Sequence, residues 1–174
     1  ALYKRAIARR SEWSWPYVGL GRLLRGYRNE EAETALRKAI DLDPEWSWPH
    51  SNFGFFLRDA ARLDEAEAEA LTAMKLAPDE ITPIICYANV LKVKGLHEEA
   101  LTQYLKAYEL KPTSSRAHYN LACAYSLLGR PEDALPHLEK AIKGVEEFRE
   151  NARYDEDFNS IKKLPAFRKL IYGE

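Results

Sequence analysis

The sequence predicts an all-α fold, a solenoid of stacked antiparallel helix pairs, and three observations carry that expectation. Pro44, Pro78 and Pro112 follow one another at intervals of 34 residues, each just after a helical run that a proline can end. Small residues return at a fixed phase: Gly21, Gly54, Ala88 and Ala122, then Ala32, Ala66, Ala100 and Ala134, then Ala39, Ala73, Ala107 and Ala141. The pentapeptide EWSWP is written twice, at Glu12 to Pro16 and Glu45 to Pro49, a spacing of 33. A fixed period of this length marks a repeat architecture, in which each unit hides its apolar face against the next.

The elements follow in chain order. Residues 1–13 align with the second helix of a unit, Ala6 standing where later units have Ala39 and Ser11 standing in place of the proline. The first helix of that unit is missing, so a truncated leading repeat is expected. Full repeats are read at 14–46, 47–80, 81–114 and 115–148, inside one domain spanning 1–174. The first is one residue short, and RGYRNEEAE set against RDAARLDEAE locates the deletion in the turn between its helices. Leu20, Phe53, Tyr87 and Leu121 precede the first small position, and Leu24, Leu57, Leu91 and Tyr125 follow it by three, which puts them on one helical face. A small residue on that face lets a second helix approach closely. Gly95 and Gly129 fall where a C-cap glycine belongs, and acidic residues open the next helix. Pro16, Pro49 and Pro83 lie in a first helical turn, where a missing N–H costs little. Residues 149–174 lack the small-residue phase and read as a C-terminal cap. Phe158, Ile161, Leu164, Phe167 and Leu170 recur there at three-residue steps, suited to short helices or 3₁₀ turns.

The segments YNLACAYSLLGRPEDALPHLEKA and ICYANVLKVKGLHEEALTQYLKAYELKP resemble tetratricopeptide repeats, whose pattern is W-x2-L-G-x2-Y, then A-x3-F and P over 34 residues. The resemblance covers nearly the whole chain and implies a right-handed superhelix whose concave surface is lined by the first helix of each pair. Ligands of the family commonly lie on that surface. Carried over position by position, the resemblance implies a groove formed by Trp15, Arg22 and Arg25, then Trp48, Asn52, Phe55 and Arg58, then Ile85, Asn89 and Lys92, and in the last repeat Arg116, Tyr119, Asn120 and Cys123. Chaperone-binding members clamp a terminal carboxylate with lysines, asparagines and an arginine. Here Asn89 and Asn120 match the two asparagine positions, but Ile85 replaces the first lysine and the cap replaces the last two residues, so a complete clamp is absent.

Charge separates between the layers. The first helices carry Arg22, Arg25, Arg58, Lys92, Lys94 and Arg116 against a single acid, Asp59, while the second helices hold Glu30, Glu31, Glu33, Asp64, Glu65, Glu67, Glu69, Glu98 and Glu99. A basic, aromatic inner face concentrates opposite charge. The expected function is a non-catalytic protein-interaction or scaffold module, binding a protein or peptide with acidic and apolar residues. A regulatory or substrate-recruiting part of a larger enzyme is the alternative.

Other classes fare worse. The 174 residues hold 26 Lys and Arg against 27 Asp and Glu, a balance unlike that of a nucleic-acid binder. No apolar run approaches the roughly 20 residues of a membrane span. His50, His97, His118 and His137 show no HExxH or similar spacing, no nucleotide or phosphate loop is present, and no cofactor or metal is expected. Cys86 and Cys123 make no disulfide framework and fit a reducing, cytoplasmic compartment, as small buried hydrophobes. Tyr3 and Ile7, on the open leading edge, could stack on a second copy.

Overall fold

The computed structural model describes residues 2–173. They form helices joined by short turns, with no strand among them, so the all-α expectation holds. Two compact units are present, one ending at Lys94 and one beginning at Gly95.

The first unit contains α1 (Leu2–Arg9), α2 (Ser14–Leu24), α3 (Asn29–Leu42), α4 (Ser47–Asp59), α5 (Leu63–Leu76) and α6 (Ile81–Val93). Helix α2 pairs with α3 and α4 with α5, and successive first helices also touch, α2 on α4 and α4 on α6. Val18, Leu36, Leu57, Ile84 and Val90 are fully buried between them. The small-residue phase is what brings the helices together. A Cβ added at Gly21 would lie 2.5 Å from Leu36 Cγ, and one at Gly54 would lie 2.8 Å from Cys86 Sγ.

The second unit contains α7 (His97–Leu110), α8 (Ser115–Leu127), α9 (Pro131–Gly144), α10 (Glu147–Tyr154), a 3₁₀ turn (Glu156–Phe158) and α11 (Pro165–Tyr172). Leu121, Leu138 and the alanines Ala100, Ala107, Ala134 and Ala141 are fully buried there. In the terminal segment the apolar residues that go inside are Phe158, Ile161, Phe167 and Ile171, whereas Leu164 and Leu170 are half-buried. The three-residue step therefore holds only as far as the 3₁₀ turn and the loop after it. Inside α11 the period is that of an α-helix, and residues four apart share a face, so Ile171 joins Phe167 instead of Leu170.

Three turns between successive helices contain a glycine with positive φ, Gly26, Gly95 and Gly129; the turn between α4 and α5 uses Ala61 at φ 59°. The left-handed conformation is free of penalty only for glycine, so Ala61 is held there by the packing of α4 against α5.

Candidate partner-binding face

In the first unit the exposed sides of α2 and α4 carry a layer of arginines on aromatic rings. The pitch of α4 sets Phe55 and Arg58, three apart, on neighbouring turns of one side, while Arg22 lies in the last turn of α2 and Arg25 just past its end. The Arg22 guanidinium lies 5.4 Å from the Trp48 ring centre. Arg25 and Arg58 lie 5.8 and 5.6 Å from the ring of Phe55. Such contacts favour the planar, weakly hydrated guanidinium over an ammonium. Asp59 is shared by the last two: its carboxylate accepts from Arg58 Nε at 2.9 Å and lies 3.2 Å from Arg25 Nε. Partial burial holds the Arg25 guanidinium below its usual range; Asp59 opposes that shift, while Arg58 and Arg22 add to it by like-charge repulsion.

Two tryptophan pairs stand at the N-terminal ends of the same helices. Trp15 is 45% exposed, its ring 6.3 Å from that of Trp13, and the half-buried Trp48 lies 5.3 Å from Trp46. Each pair is tilted, the arrangement that ring quadrupoles prefer over a face-to-face sandwich. Asn89 and Lys92 of α6 are half-buried.

Several of the predicted groove residues point elsewhere. Asn52 is buried and donates from Nδ2 to the Trp48 carbonyl at 2.7 Å, closing a local bond within α4. Ile85 is buried in the core, because the apolar stripe of α6 is wide enough to take in its fifth residue. Neither is a surface contact.

In the second unit the departure is larger. Arg116 is exposed, but Tyr119 is buried, its ring stacked on Phe148 of α10 at 4.6 Å and edge-on to Phe158 at 5.7 Å. The Tyr119 hydroxyl donates to Asp155 Oδ2 at 2.8 Å. Burial, reinforced by Cys123 and Asp155, pushes that hydroxyl far above its usual range and keeps it protonated. The terminal helices thus stand on the side of α8 that the resemblance assigns to ligand. Asn120 is half-buried beside it, with an Nδ2 donor that finds no acceptor among the described residues.

One grouping of metal-ligand type occurs among the described residues, Cys123 with Asp155 and Asp157, their ligand atoms within 4.8 Å of one another. Asp155 is already committed, accepting from the Tyr119 hydroxyl and from the Asp157 backbone N–H at 3.0 Å, so the trio acts as a brace between α8 and the 3₁₀ turn. Cys86 is a buried thiol that donates to the Ser51 carbonyl at 3.2 Å, and burial pushes its pKa up to about 12. A thiol so shifted is not a nucleophile at neutral pH.

The sharing of Asp59 between two arginines was not legible beforehand; the one available signal was that Asp59 is the single acid on the basic helices. Nor was the covering of Tyr119, since Phe148 and Asp155 lie in a segment without the repeat's phase.

The tetratricopeptide repeat family model matches residues 79–147, and a second tetratricopeptide repeat model matches residues 28–45. A curated relative, a chloroplastic protein of Arabidopsis thaliana, is 38% identical over 81 residues, which cover 44% of this chain and 24% of that protein. The chain therefore spans about a quarter of the relative it matches. Among solved structures, PilF of Pseudomonas aeruginosa aligns with a TM-score of 0.74 at 24% identity, covering 94% of this chain and 77% of that one. YrrB, described as a TPR protein with an unusual peptide-binding site, aligns at 0.63 and 16% identity, covering 98% and 92%. At such identities the structural likeness establishes the fold alone. Among the described residues no helix is long and apolar enough to cross a membrane. With the helix pairs, their small-residue contacts and both matched segments agreeing, the chain belongs to the tetratricopeptide repeat family.

Proposed function

We propose that this chain is a protein-interaction module that binds an acidic segment of a partner, carrying at least one apolar residue, on the α2 and α4 side of its first unit, with α6 contributing Asn89 and Lys92. The observation that carries the reading is the layer of Arg22, Arg25 and Arg58 on Trp48 and Phe55. Arginine pairs with carboxylates through two parallel N–H donors, and a ring beneath it offers an apolar partner a place to pack. Charge of one sign over a low-dielectric wall also speeds encounter with an oppositely charged chain. The likeness to YrrB, a peptide binder, supports a peptide ligand in general without specifying its residues. The groove is read as concentrated in the first unit, since Tyr119 is engaged by the terminal helices.

The test is calorimetric titration of a capped hexapeptide of four glutamates, one phenylalanine and one leucine, against the wild type and against Arg22→Glu, Arg58→Glu, Lys92→Glu combined. Circular dichroism first establishes that both proteins are helical. Binding to the wild type that falls at least tenfold in the variant supports the face. Equal affinity for both, or no binding by the wild type, sinks it.

A further inference from the structure

We infer that Asp59 is a resident carboxylate occupying the subsite that a ligand's carboxylate takes, so that an incoming acidic segment must displace it from Arg25 and Arg58. The inference rests on the reading of the α2 and α4 face given above. It begins from an oddity of charge: Asp59 is the one acid among the basic residues of the first helices. Arg58 and Asp59 are adjacent in sequence, and adjacent residues of a helix do not face each other. They are nonetheless paired, Arg58 reaching Asp59 Oδ1 from Nε at 2.9 Å and from Nη2 at 2.5 Å. The other oxygen, Oδ2, lies 3.2 Å from Arg25, the residue that follows the C-terminus of α2. One carboxylate therefore bridges a cation of α4 and the cation that follows α2, and both cations sit against the Phe55 ring. Carboxylate, paired guanidinia and adjoining ring are the complete set of contacts that an acidic residue next to an apolar one would make.

The exchange needs no opening of the core. The Asp59 side chain is 37% exposed, and those of Arg25 and Arg58 are 33% and 21% exposed. Swapping one carboxylate for another is close to neutral in itself, but Asp59 is tethered, which gives it an effective concentration in the millimolar range that a free anion must beat. A ligand with a second contact beats it; a lone carboxylate does not. Asp59 thereby lowers the occupancy of the subsite by lone carboxylates, at the cost of affinity for every acidic ligand that uses it.

The experiment compares the wild type with Asp59→Asn and with Asp41→Asn, the latter removing the same charge from an exposed site on α3. The glutamate hexapeptide is titrated at fixed ionic strength, with and without acetate exchanged for chloride. The expected result is binding about fivefold tighter in Asp59→Asn than in Asp41→Asn, the loss of one surface ion pair. Acetate is expected to weaken binding to Asp59→Asn and to leave the wild type unchanged. If Asp59→Asn binds no tighter than Asp41→Asn while the arginine and lysine reversals still abolish wild-type binding, the resident-carboxylate inference fails and the face stands. A lowered melting temperature in Asp59→Asn with unchanged affinity likewise overturns it, making Asp59 a brace between α2 and α4. Absence of binding in both the wild type and Asp59→Asn defeats the face and the inference together.

Discussion

His118 and His137 meet Nδ1 to Nδ1 at 2.8 Å, across the packed pair α8 and α9. The corresponding positions of α4 and α5 hold His50 and Glu69, Nδ1 to Oε2 at 2.7 Å, and the separation in sequence is 19 residues in both. One structural slot is thus filled by two chemically opposite pairs. A histidine facing a carboxylate gains from a second proton. A histidine facing a histidine has room for a single shared one, since two imidazoliums would set N–H against N–H.

The pairs should therefore titrate in opposite directions. Burial lowers the pKa of His118 from the ordinary 6.5, with Lys140 adding to the shift and the Pro112 carbonyl opposing it. Burial also lowers His137, aided by His118 and Lys140 and opposed by Asp133. The hydrogen bond to Glu69 raises His50 above 6.5, burial opposes it, and the Pro44 carbonyl adds to the rise. For the lowered pair, stability is present above 6.5 and lost as pH falls through the folded values; for His50 it is present below 6.5 and lost as pH rises through the folded value. Proton NMR of the ring C2–H resonances checks this, with His118 and His137 expected to titrate below free histidine and His50 above it. His137→Glu should reverse the sign at His118, moving its titration upward. A His118 midpoint that stays low in that variant would show burial alone to be in control.

The same contrast has a stability consequence for the second unit. All four tryptophans, Trp13, Trp15, Trp46 and Trp48, precede Lys94, so their fluorescence reports the first unit while far-ultraviolet circular dichroism reports every helix. On acidification from neutral pH through the histidine range we expect helix signal to fall before tryptophan emission shifts. Coincident transitions would contradict it.

Ala61 holds a conformation that glycine holds in the other three turns, at φ 59°. Ala61→Gly should stabilise the protein by about 1 kcal/mol, the left-handed penalty of a Cβ less the extra entropy of an unfolded glycine. Urea denaturation reads this directly as a higher midpoint at constant slope. An unchanged or lowered midpoint would mean that the turn carries no such strain.

Gly54 is a contact position, not a hinge. Gly54→Ala places a Cβ 2.8 Å from Cys86 Sγ and 3.4 Å from the Ala66 carbonyl oxygen, and should cost about 2 kcal/mol through overpacking. Cys86→Ala removes the sulfur. The double variant should accordingly lose less than the sum of the two single losses, and a double-mutant cycle measures that coupling. Strict additivity would place the strain at the Ala66 backbone instead.

Tyr119→Phe removes the donor to Asp155 while keeping the ring on Phe148. It should destabilise the protein by about 1 kcal/mol, the net worth of one hydrogen bond. Phe148→Ala should cost more, because it also takes apolar area off Tyr119. Urea midpoints rank the two, and the reverse order would assign the cap's attachment to the hydrogen bond.

Which features could be read from residue order follows from the range of the forces involved. Helix identity, the pairing of helices through short turns, and the packing role of Gly21, Gly54 and the alanines are written in spacings of three, four and 34 residues, and each is settled by local geometry and a small set of close contacts. The basic and aromatic character of α2 and α4 is likewise a matter of which residues sit on one side of a helix. Tertiary structure alone decided the rest. It turned Asn52 and Ile85 inward, because the width of a buried face depends on what packs over it. It covered Tyr119 with Phe148 and Asp155, because a segment without the repeat's phase can still supply the missing neighbour. It also set Asp59 between Arg25 and Arg58, since charges distant in sequence or badly angled along a helix find each other only once two helices stand side by side.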